Sequence, residues 1–307
     1  MNLCLVVAEE TVAEAAEILR RYEGFDPAFE VRADYLADLG PDTAAFLRGL
    51  TGGPLIFTAR LPADGGRWTS GEAARARAYE RAAAAGFDYV DLEIGTFPDL
   101  DIGDRTRVIR SFHDMRGFPR NIRDVYARAS EVPGEIPKIA VNLSGPEDTL
   151  GFLEWSAELR DGGSSPRIVT AMGRKGAFSR ILGSRLGILH TYVPAPGRIL
   201  LPGMVDLAAM TGRYRADRID GRTAVFGLVD PASTYVPPDA GDPEEIPSEL
   251  RPAPAEGNSA ASPPARDAGA ADSVLAPFVL DSPEEYRALR EFFRIEGFFR
   301  APSLRDR

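Results

Sequence analysis

The chain has 307 residues, of which 44% are hydrophobic and 27% charged, a balance typical of a globular domain. Its formal net charge of −10 argues against nucleic acids and anionic membrane surfaces as partners, because phosphate binding needs clustered Lys and Arg. A single cysteine, Cys4, excludes an intrachain disulfide and a cysteine-ligated zinc site. The N-terminus has no basic lead and only a short apolar run, so we expect a cytoplasmic protein without a membrane span.

Short apolar, β-branched runs alternate with Ala-, Leu-, Glu- and Arg-rich segments along the first two thirds of the chain. This alternation predicts an α/β fold with a parallel sheet, and eight such units in about 210 residues fit a (β/α)8 TIM-type barrel. An open doubly wound sheet is the alternative, but no Gly-x-Gly-x-x-Gly follows the first run. The predicted strands are 3–7, 29–35, 55–60, 89–94, 108–114, 138–143, 167–171 and 187–193, and the predicted helices are 11–22, 70–85, 121–130 and 147–160.

The composition changes beyond residue 220, where we place the end of the barrel domain (1–220). From 231 to 272, Pro, Ala, Gly, Ser, Asp and Glu dominate and the apolar periodicity disappears, which predicts a linker or a disordered segment. A strand at 274–280 and a helix at 283–293, with Ser282 as its N-cap, are predicted next. We therefore expect a partly disordered C-terminal extension (221–307) with few contacts to the barrel.

Residue parity separates the interior of the predicted barrel from its helix-facing surface, because side chains alternate between the faces of a strand. In five successive predicted strands the polar residues share one parity and the apolar residues the other. Barrel interiors are normally apolar, so charge on five strands predicts a functional pocket; a buried ion-pair network is the structural alternative. The inward set is Glu30, Arg32, Asp34, Thr58, Arg60, Asp91, Glu93, Ser111, His113, Lys138, Ala140 and Asn142.

Lys138 and His113 are the most informative pair in this set. Burial and neighbouring positive charge make a lysine amine nucleophilic toward a carbonyl. The resulting iminium acidifies the adjacent C–H, and a histidine can remove that proton and return one to a leaving hydroxyl. The residues alone therefore indicate carbonyl chemistry through an imine, and leave aldol cleavage and dehydration both open.

Ordered segments of the chain resemble the type I 3-dehydroquinate dehydratases over roughly residues 1–212. The resemblance implies dehydration of 3-dehydroquinate to 3-dehydroshikimate in the shikimate pathway, without a metal or an organic cofactor. It also implies that Lys138 forms the Schiff base and that His113 is the general acid/base. The segments are Glu30-Val31-Arg32-Ala33-Asp34, Phe57-Thr58-Ala59-Arg60, Val90-Asp91-Leu92-Glu93, Ser111-Phe112-His113-Asp114, Pro137-Lys138-Ile139-Ala140-Val141 and Ser179-Arg180, and the implied substrate ligands are Glu30, Arg32, Arg60 and Arg180.

The chain departs from the family pattern at two places. Asp64 stands where the family has a glutamate that orients the catalytic histidine. The loop after the eighth strand lacks the family's Ser-Ala-Pro-Gly-Gln: one alignment places Leu200 and Met204 at the Ser and Gln, and another places Pro194 and Arg198 there. A site that loses such donors loses selectivity for hydroxyls. We expect either a lid rebuilt with Arg198 as a carboxylate ligand or an altered activity.

The C-terminal extension resembles the opening of shikimate dehydrogenase, without that enzyme's catalytic Lys and Asp motifs or its nucleotide-binding half. The similar segments are Val225-Phe226-Gly227-Leu228-Val229, Ser259-Ala260-Ala261-Ser262-Pro263 and residues 276–298. We interpret it as a truncated remnant without dehydrogenase activity.

Three functions stay open at this point. The first is the dehydratase, a homodimer acting on a small hydroxy-carboxylate. The second is an imine-forming lyase or aldolase on another small carboxylate, and the third is a catalytically silent binding protein. Retention of Lys138 and His113 argues against the third, whereas the altered lid favours the second or third.

Overall fold

A computed structural model describes residues 2–25, 28–97, 99–163, 165–195, 198, 200–250 and 273–301. Eight parallel strands form a nearly closed barrel in the order β7-β6-β5-β4-β3-β2-β1-β8. The N–H of Leu189 donates to the carbonyl of Arg167 at 2.8 Å, which joins the two end strands. The strands are β1 (Asn2–Val7), β2 (Ala28–Arg32), β3 (Leu55–Thr58), β4 (Tyr89–Glu93), β5 (Arg107–Asp114), β6 (Ile136–Asn142), β7 (Ile168–Met172) and β8 (His190–Pro194).

Helices surround the barrel on the outside. In the first of them, the buried residues Ala15, Ala16, Leu19 and Tyr22 lie on one face, and Thr11 and Glu14 cap its N-terminus reciprocally. The fifth helix begins at Pro146. A proline in the first turn of a helix costs no hydrogen bond, because the N–H that it lacks would have no partner within the helix there. The helices are α1 (Val12–Tyr22), α2 (Thr43–Arg48), α3 (Glu72–Ala84), α4 (Ile122–Ala129), α5 (Pro146–Asp161), α6 (Ala177–Ile181) and α7 (Gly183–Leu186).

The predicted TIM-type barrel is confirmed. All eight predicted strands are present, with ends displaced by a few residues; the second, for example, ends at Arg32 because residues 33–35 turn away. The parity prediction is confirmed for most of the strand residues; Tyr35, which parity places on the helix-facing side, lines the cavity above the barrel instead, because residues 33–35 form a turn. The outward apolar residues of these strands, such as Phe57, Leu92 and Ile139, join the main core beneath the helices.

The barrel interior has an apolar floor and a charged upper part. The floor lies near the N-terminal ends of the strands and consists mainly of Cys4, Ala28, Ile56, Ile109, Ile136 and Ile168. Above it lie Lys138 and its polar neighbours, toward the C-terminal ends of the strands, where TIM barrels carry their active sites.

The chain beyond the barrel forms a second, smaller sheet, which we call the C-terminal unit. It contains β9 (Ala224–Val229), β10 (Ser273–Phe278), α8 (Pro283–Phe293) and β11 (Ile295–Arg300), with parallel strands in the order β10-β9-β11. Ser282 caps α8 as predicted, because its Oγ accepts a hydrogen bond from the N–H of Glu285 at 3.1 Å.

The structure corrects the predicted linker over residues 231–250. This segment packs on the small sheet: Ile246 and Leu250 are buried against Leu275, and Gly241 bridges to β11 by backbone hydrogen bonds. The predicted disorder of 251–272 lies outside the described residues. The composition misleads here because a few apolar residues, widely spaced among prolines, are enough to attach a segment to an existing sheet.

The expectation of few contacts between the C-terminal unit and the barrel is also wrong. The ring of Phe178 on α6 stacks on Phe278 at 5.8 Å and meets Phe293 edge-on at 5.5 Å. The guanidinium of Arg160 on α5 lies 4.8 Å above the ring of Phe292. These contacts were invisible in the sequence because each half presents an ordinary amphipathic helix. The division at residue 220 itself stays a prediction.

His190 lies in the floor of the barrel, next to the ring of Tyr89, and is 4% exposed. Neither of its ring nitrogens has a hydrogen-bond partner among the described residues. Burial, together with the charge of Lys138, lowers its pKa to about 4.

In the part of the chain that the structure describes, no helix is long and apolar enough to cross a membrane.

Acid should destabilise the protein in part through His190. An unfolded histidine has a pKa of about 6.5, so the unfolded chain takes up a proton at a pH where folded His190 stays neutral. The free energy of unfolding therefore falls as the pH drops below 6.5, and the loss is complete near pH 4. This difference corresponds to roughly 3 kcal/mol.

The measurement is urea unfolding of the parent and of His190→Leu at pH 7 and pH 4.5. Carboxylates titrate in both proteins, so the difference between them isolates His190. Between the two pH values the variant should lose roughly 2 kcal/mol less than the parent. Equal losses would show that His190 is protonated as readily in the fold as in the unfolded chain.

Candidate active site

Six of the predicted site residues line one cavity at the C-terminal end of the barrel strands. They come from β2, from the end of β3, from β5 and β6, and from α6, and they are Glu30, Arg32, Arg60, His113, Lys138 and Arg180. Because these elements are far apart in the sequence, the parallel arrangement of the strands is what brings their ends together.

Lys138 is 5% exposed, and two carboxylates neutralise its ammonium group. Its Nζ lies 2.6 Å from Oδ2 of Asp91 and 3.3 Å from Oε1 of Glu30. The ring of Tyr192 lies 3.8 Å from the same nitrogen, on the floor side of the cavity. A buried amine with a carboxylate, Glu30, near enough to take its proton, and with an open cavity beside it, is placed to attack a carbonyl.

Asp91 connects Lys138 to Arg60. Its Oδ1 lies 2.7 Å from Nη2 of Arg60 and accepts a hydrogen bond from Oγ of Ser111 at 2.6 Å. Burial by itself would raise the pKa of Asp91, but the positive charges of Arg60 and Lys138 outweigh it and lower that pKa below its ordinary value. Asp91 is therefore a permanent negative charge under the cavity.

A second ion pair supports Arg60 from outside the cavity. Glu93 lies 3.8 Å from Nη1 of Arg60 and accepts a hydrogen bond from Nη2 of Arg75 at 2.5 Å. Arg75, on α3, is fully buried and stacks on Phe97. The orientation of Arg60 is thus determined by residues on β4, β5 and α3.

His113 is held against Arg60, with its side chain 11% exposed. Nη1 of Arg60 lies 3.2 Å from Nδ1 of His113, and because a guanidinium only donates, Nδ1 accepts and the neutral ring carries its proton on Nε2. Burial and the positive charges of Arg60 and Lys138 lower the pKa of His113 well below 6.5. A neutral imidazole at neutral pH can take up a proton.

Arg180 is the cation without a compensating charge. It is 4% exposed, its Nη1 donates to the carbonyl of Tyr192 at 3.3 Å, and no described carboxylate lies within ion-pair distance of it. Burial lowers its pKa to about 10, so it stays charged. Arg32, in contrast, is paired with Asp34 through two hydrogen bonds of 2.9 and 2.7 Å. Arg180 is the better candidate for a carboxylate ligand.

Two predicted site residues do not line the cavity. Asp64 lies at its rim, with Oδ1 3.9 Å from Nδ1 of His113, and burial raises its pKa. Arg198 forms an ion pair of 2.7 Å with Glu9, and its side chain is 60% exposed. The lid residues Leu200 and Met204 do line the cavity, together with Leu201, so the structure favours the alignment that places them, and not Arg198, over the site.

Asp91, Thr58 and Tyr192 were given no role by the sequence alone. Asp91 and Thr58 were on the predicted inner face, and their parity, shared with the other polar residues of β3 and β4, was the available signal. Thr58 donates to Glu30 at 3.0 Å and thereby orients it. Tyr192 carried no signal, because an aromatic residue in an apolar strand is usually ordinary packing.

Within the described residues no cluster of His, Cys, Asp or Glu is arranged to hold a metal ion.

Comparisons with known proteins agree with this geometry. The family model "Type I 3-dehydroquinase" matches residues 3–220. The chain belongs to the type I 3-dehydroquinase family. The 3-dehydroquinate dehydratase of Methanocaldococcus jannaschii is 28% identical over 69% of this chain and 97% of its own, and that of Streptococcus mutans is 27% identical over 66% and 96%.

Solved structures share the fold of the barrel. The crystal structure of 3-dehydroquinate dehydratase from Geobacillus kaustophilus has a TM-score of 0.61 and 26% identity, over 68% of this chain and 88% of its own. The dehydroquinate dehydratase and shikimate dehydrogenase structure from S. pombe AroM also has a TM-score of 0.61, at 21% identity, over 99% of this chain and 53% of its own. The latter similarity concerns the fold alone, but it extends through the C-terminal unit.

The protonation state of His113 can be observed directly, because the chain has only two histidines. Both have lowered pKa values, so in the free type I 3-dehydroquinase both rings should stay neutral at pH 6. The measurement is NMR of protein labelled with 15N in the imidazole rings, titrated from pH 8 to 5, with His190→Leu to assign the signals. A ring that titrates near 6.5 in the His190→Leu protein would contradict the lowered pKa of His113.

Proposed function

We propose that this type I 3-dehydroquinase dehydrates 3-dehydroquinate to 3-dehydroshikimate, in the shikimate pathway, through a Schiff base on Lys138. The observation that carries the proposal is the common cavity in which a buried lysine, a neutral histidine and an uncompensated arginine meet. Each of them has one task in this reaction, and the family membership supplies the substrate. A cytoplasmic location and a homodimer stay predictions.

The reaction begins with attack of Lys138 on the substrate ketone, which loses water to form an iminium. Glu30, 3.3 Å from Nζ, takes the proton that the amine gives up, whereas Asp91, 2.6 Å away, stays charged and stabilises the iminium. The carboxylate of the substrate pairs with Arg180, which orients the ring in the cavity. Arg32 and Arg60 bind the remaining polar groups in this proposal.

The iminium then acidifies the neighbouring C–H, and His113 removes that proton. The electron pair moves to form the C=C bond, the hydroxyl on the next carbon leaves with a proton from His113, and hydrolysis of the imine returns Lys138. Asp64 at the rim is proposed to orient His113. The shorter side chain of an aspartate agrees with the long separation of 3.9 Å.

Borohydride trapping tests the Schiff base, and the sequence makes the test sharp because the chain contains only two lysines, Lys138 and Lys175. Incubation with 3-dehydroquinate and borohydride should add one reduced substrate mass to the peptide that contains Lys138. Lys175 should stay unmodified, because its ammonium is buried between Asp281 and Glu285. Mass spectrometry of the digested protein provides the measurement.

Two variants serve as controls for the trapping. Lys138→Met should abolish both the adduct and turnover. His113→Gln should still be trapped but turn over about 10²–10⁴-fold more slowly, the usual contribution of a general acid/base. An adduct on Lys175, or unchanged turnover without His113, would overturn the assigned roles.

The apolar lid favours a second candidate function, an imine-forming lyase or aldolase on a less hydroxylated carboxylate. Leu200, Leu201 and Met204 cannot donate hydrogen bonds to substrate hydroxyls, and all three line the cavity. If 3-dehydroquinate gives no adduct, the same trapping with small keto acids decides between this function and a silent binding protein. An adduct on Lys138 together with conversion of that keto acid to product would rule out the silent protein.

Restoring polar groups in the lid should improve binding of 3-dehydroquinate. A missing neutral hydrogen bond costs roughly 0.5–1.5 kcal/mol, so the double variant Leu200→Ser, Met204→Gln should lower KM by about one to two powers of ten. Arg198→Ala should change KM less than about threefold, because Arg198 pairs with Glu9 outside the cavity lining. A sharp rise of KM in Arg198→Ala, with no gain in the double variant, would instead show a lid rebuilt around Arg198.

A further inference from the structure

The short helix α6 connects the cavity to the C-terminal unit. Arg180 extends from it into the cavity, and Phe178, two residues earlier, is 1% exposed and packs between Phe278 and Phe293. Arg180 and Phe178 therefore lie on opposite sides of one helical turn. Arg180 faces the cavity, and Phe178 faces the C-terminal unit. Displacing Phe178 would displace Arg180.

The loop in front of α6 is held by a buried lysine that the proposed chemistry does not use. Lys175 is 8% exposed, and its Nζ lies 2.7 Å from Asp281, 2.9 Å from Glu285 and 3.1 Å from the carbonyl of Val279. Glu285 is fully buried. All three partners belong to the C-terminal unit, at the carboxyl end of β10 and the start of α8.

The position of this ion pair is informative. In open parallel sheets, ligands bind beside the carboxyl ends of the strands. Here the barrel's own Lys175 occupies that position on the small sheet, and a buried charge needs its partners to stay there. The C-terminal unit therefore binds a piece of the barrel at the edge where such a sheet would bind a ligand.

The same loop also contacts the lid. Gly203 has a φ of 78°, and a Cβ on it would lie 1.9 Å from the carbonyl oxygen of Gly173, so the two backbones are in direct contact. Met204, the next residue, lines the cavity. Residues 173–176 thus lie between the lid and the C-terminal unit.

We infer that the C-terminal unit positions Arg180 and the lid for substrate binding, and that it does so through Lys175, Glu285 and Phe178. The family match covers residues 3–220 and so includes Lys175, Phe178 and Arg180, whereas Glu285, Phe278 and Phe293 lie beyond it. Its kinetic readout rests on the proposed function, with Arg180 as the carboxylate ligand. Lys175 and Glu285 are positioning residues, since they touch neither the cavity nor the reacting groups.

The test uses the full chain with Lys175→Met and Glu285→Gln. Each should raise KM for 3-dehydroquinate about tenfold, the cost of one weakened charged contact, while kcat and trapping at saturating substrate change less than about twofold. Lys175→Arg should retain most of the parental KM. The matched control is Arg174→Met, which removes the neighbouring ion pair to Asp230 from a side chain that is 66% exposed; it should leave KM unchanged.

A double-mutant cycle separates positioning from general destabilisation. In an Arg180→Met background, Lys175→Met should raise KM by less than about twofold, because its effect passes through Arg180. An unchanged KM in folded Lys175→Met and Glu285→Gln, or a full tenfold effect on top of Arg180→Met, would overturn the inference. Circular dichroism at the assay temperature establishes that each variant is folded.

Amide hydrogen exchange provides a readout that does not depend on turnover. Peptides covering 173–186 and 200–207 should exchange faster in Glu285→Gln than in the parent or in Arg174→Met, whereas peptides of β1 to β4 should not. If the parent fails to dehydrate 3-dehydroquinate but these peptides respond, the proposed function fails and the positioning role stands. If the peptides do not respond in folded Glu285→Gln, the positioning role fails whatever the activity.

Discussion

The ion pair between Lys138 and Asp91, 2.6 Å long in the middle of the barrel, is the interaction on which the rest of the site depends. An isolated ammonium or carboxylate in that position would be neutralised by a shifted pKa or would unfold the barrel. Each charge therefore needs the other, and Asp91 in turn needs Arg60 and Ser111 to fill its remaining acceptor positions. The network extends to Glu93 and Arg75, and through Arg60 it also determines where His113 lies.

This arrangement explains how one cavity can hold an ammonium group and a neutral imidazole. Lys138 has two carboxylates within 3.3 Å, whereas His113 lies 3.2 Å from the guanidinium of Arg60 and 3.9 Å from the nearest oxygen of Asp64. The imidazole consequently stays neutral, with a lowered pKa. Arg180, which no described carboxylate neutralises, leaves a positive charge in the lining of the cavity, as an anionic substrate requires.

The C-terminal unit is packed against the barrel and is not a loose tail. A barrel with a loose tail would expose Phe178 and leave the ammonium of Lys175 without its partners. The C-terminal unit covers Phe178 and neutralises Lys175, and α6 lies between this unit and the cavity. The C-terminal unit, which lies beyond the family match at residues 3–220, thus supports the barrel at residues 175–178, next to the lid contact between Gly173 and Gly203.

The sequence by itself determined the barrel, the face of each strand that points inward and the pairing of Lys138 with His113, because strand parity and the alternation of strands and helices are local properties. It also located the lid departure after the eighth strand, but left two alignments open, one with Leu200 and Met204 and one with Pro194 and Arg198. Only the tertiary structure decided that Asp91 neutralises Lys138, that Arg198 pairs with Glu9 instead of entering the cavity, and that residues 231–250 pack on a sheet. Those outcomes depend on which groups from distant parts of the chain meet in a space without water. There, neighbours on other strands decide whether the pairing of charges outweighs the cost of burying them. No local sequence pattern contains that information.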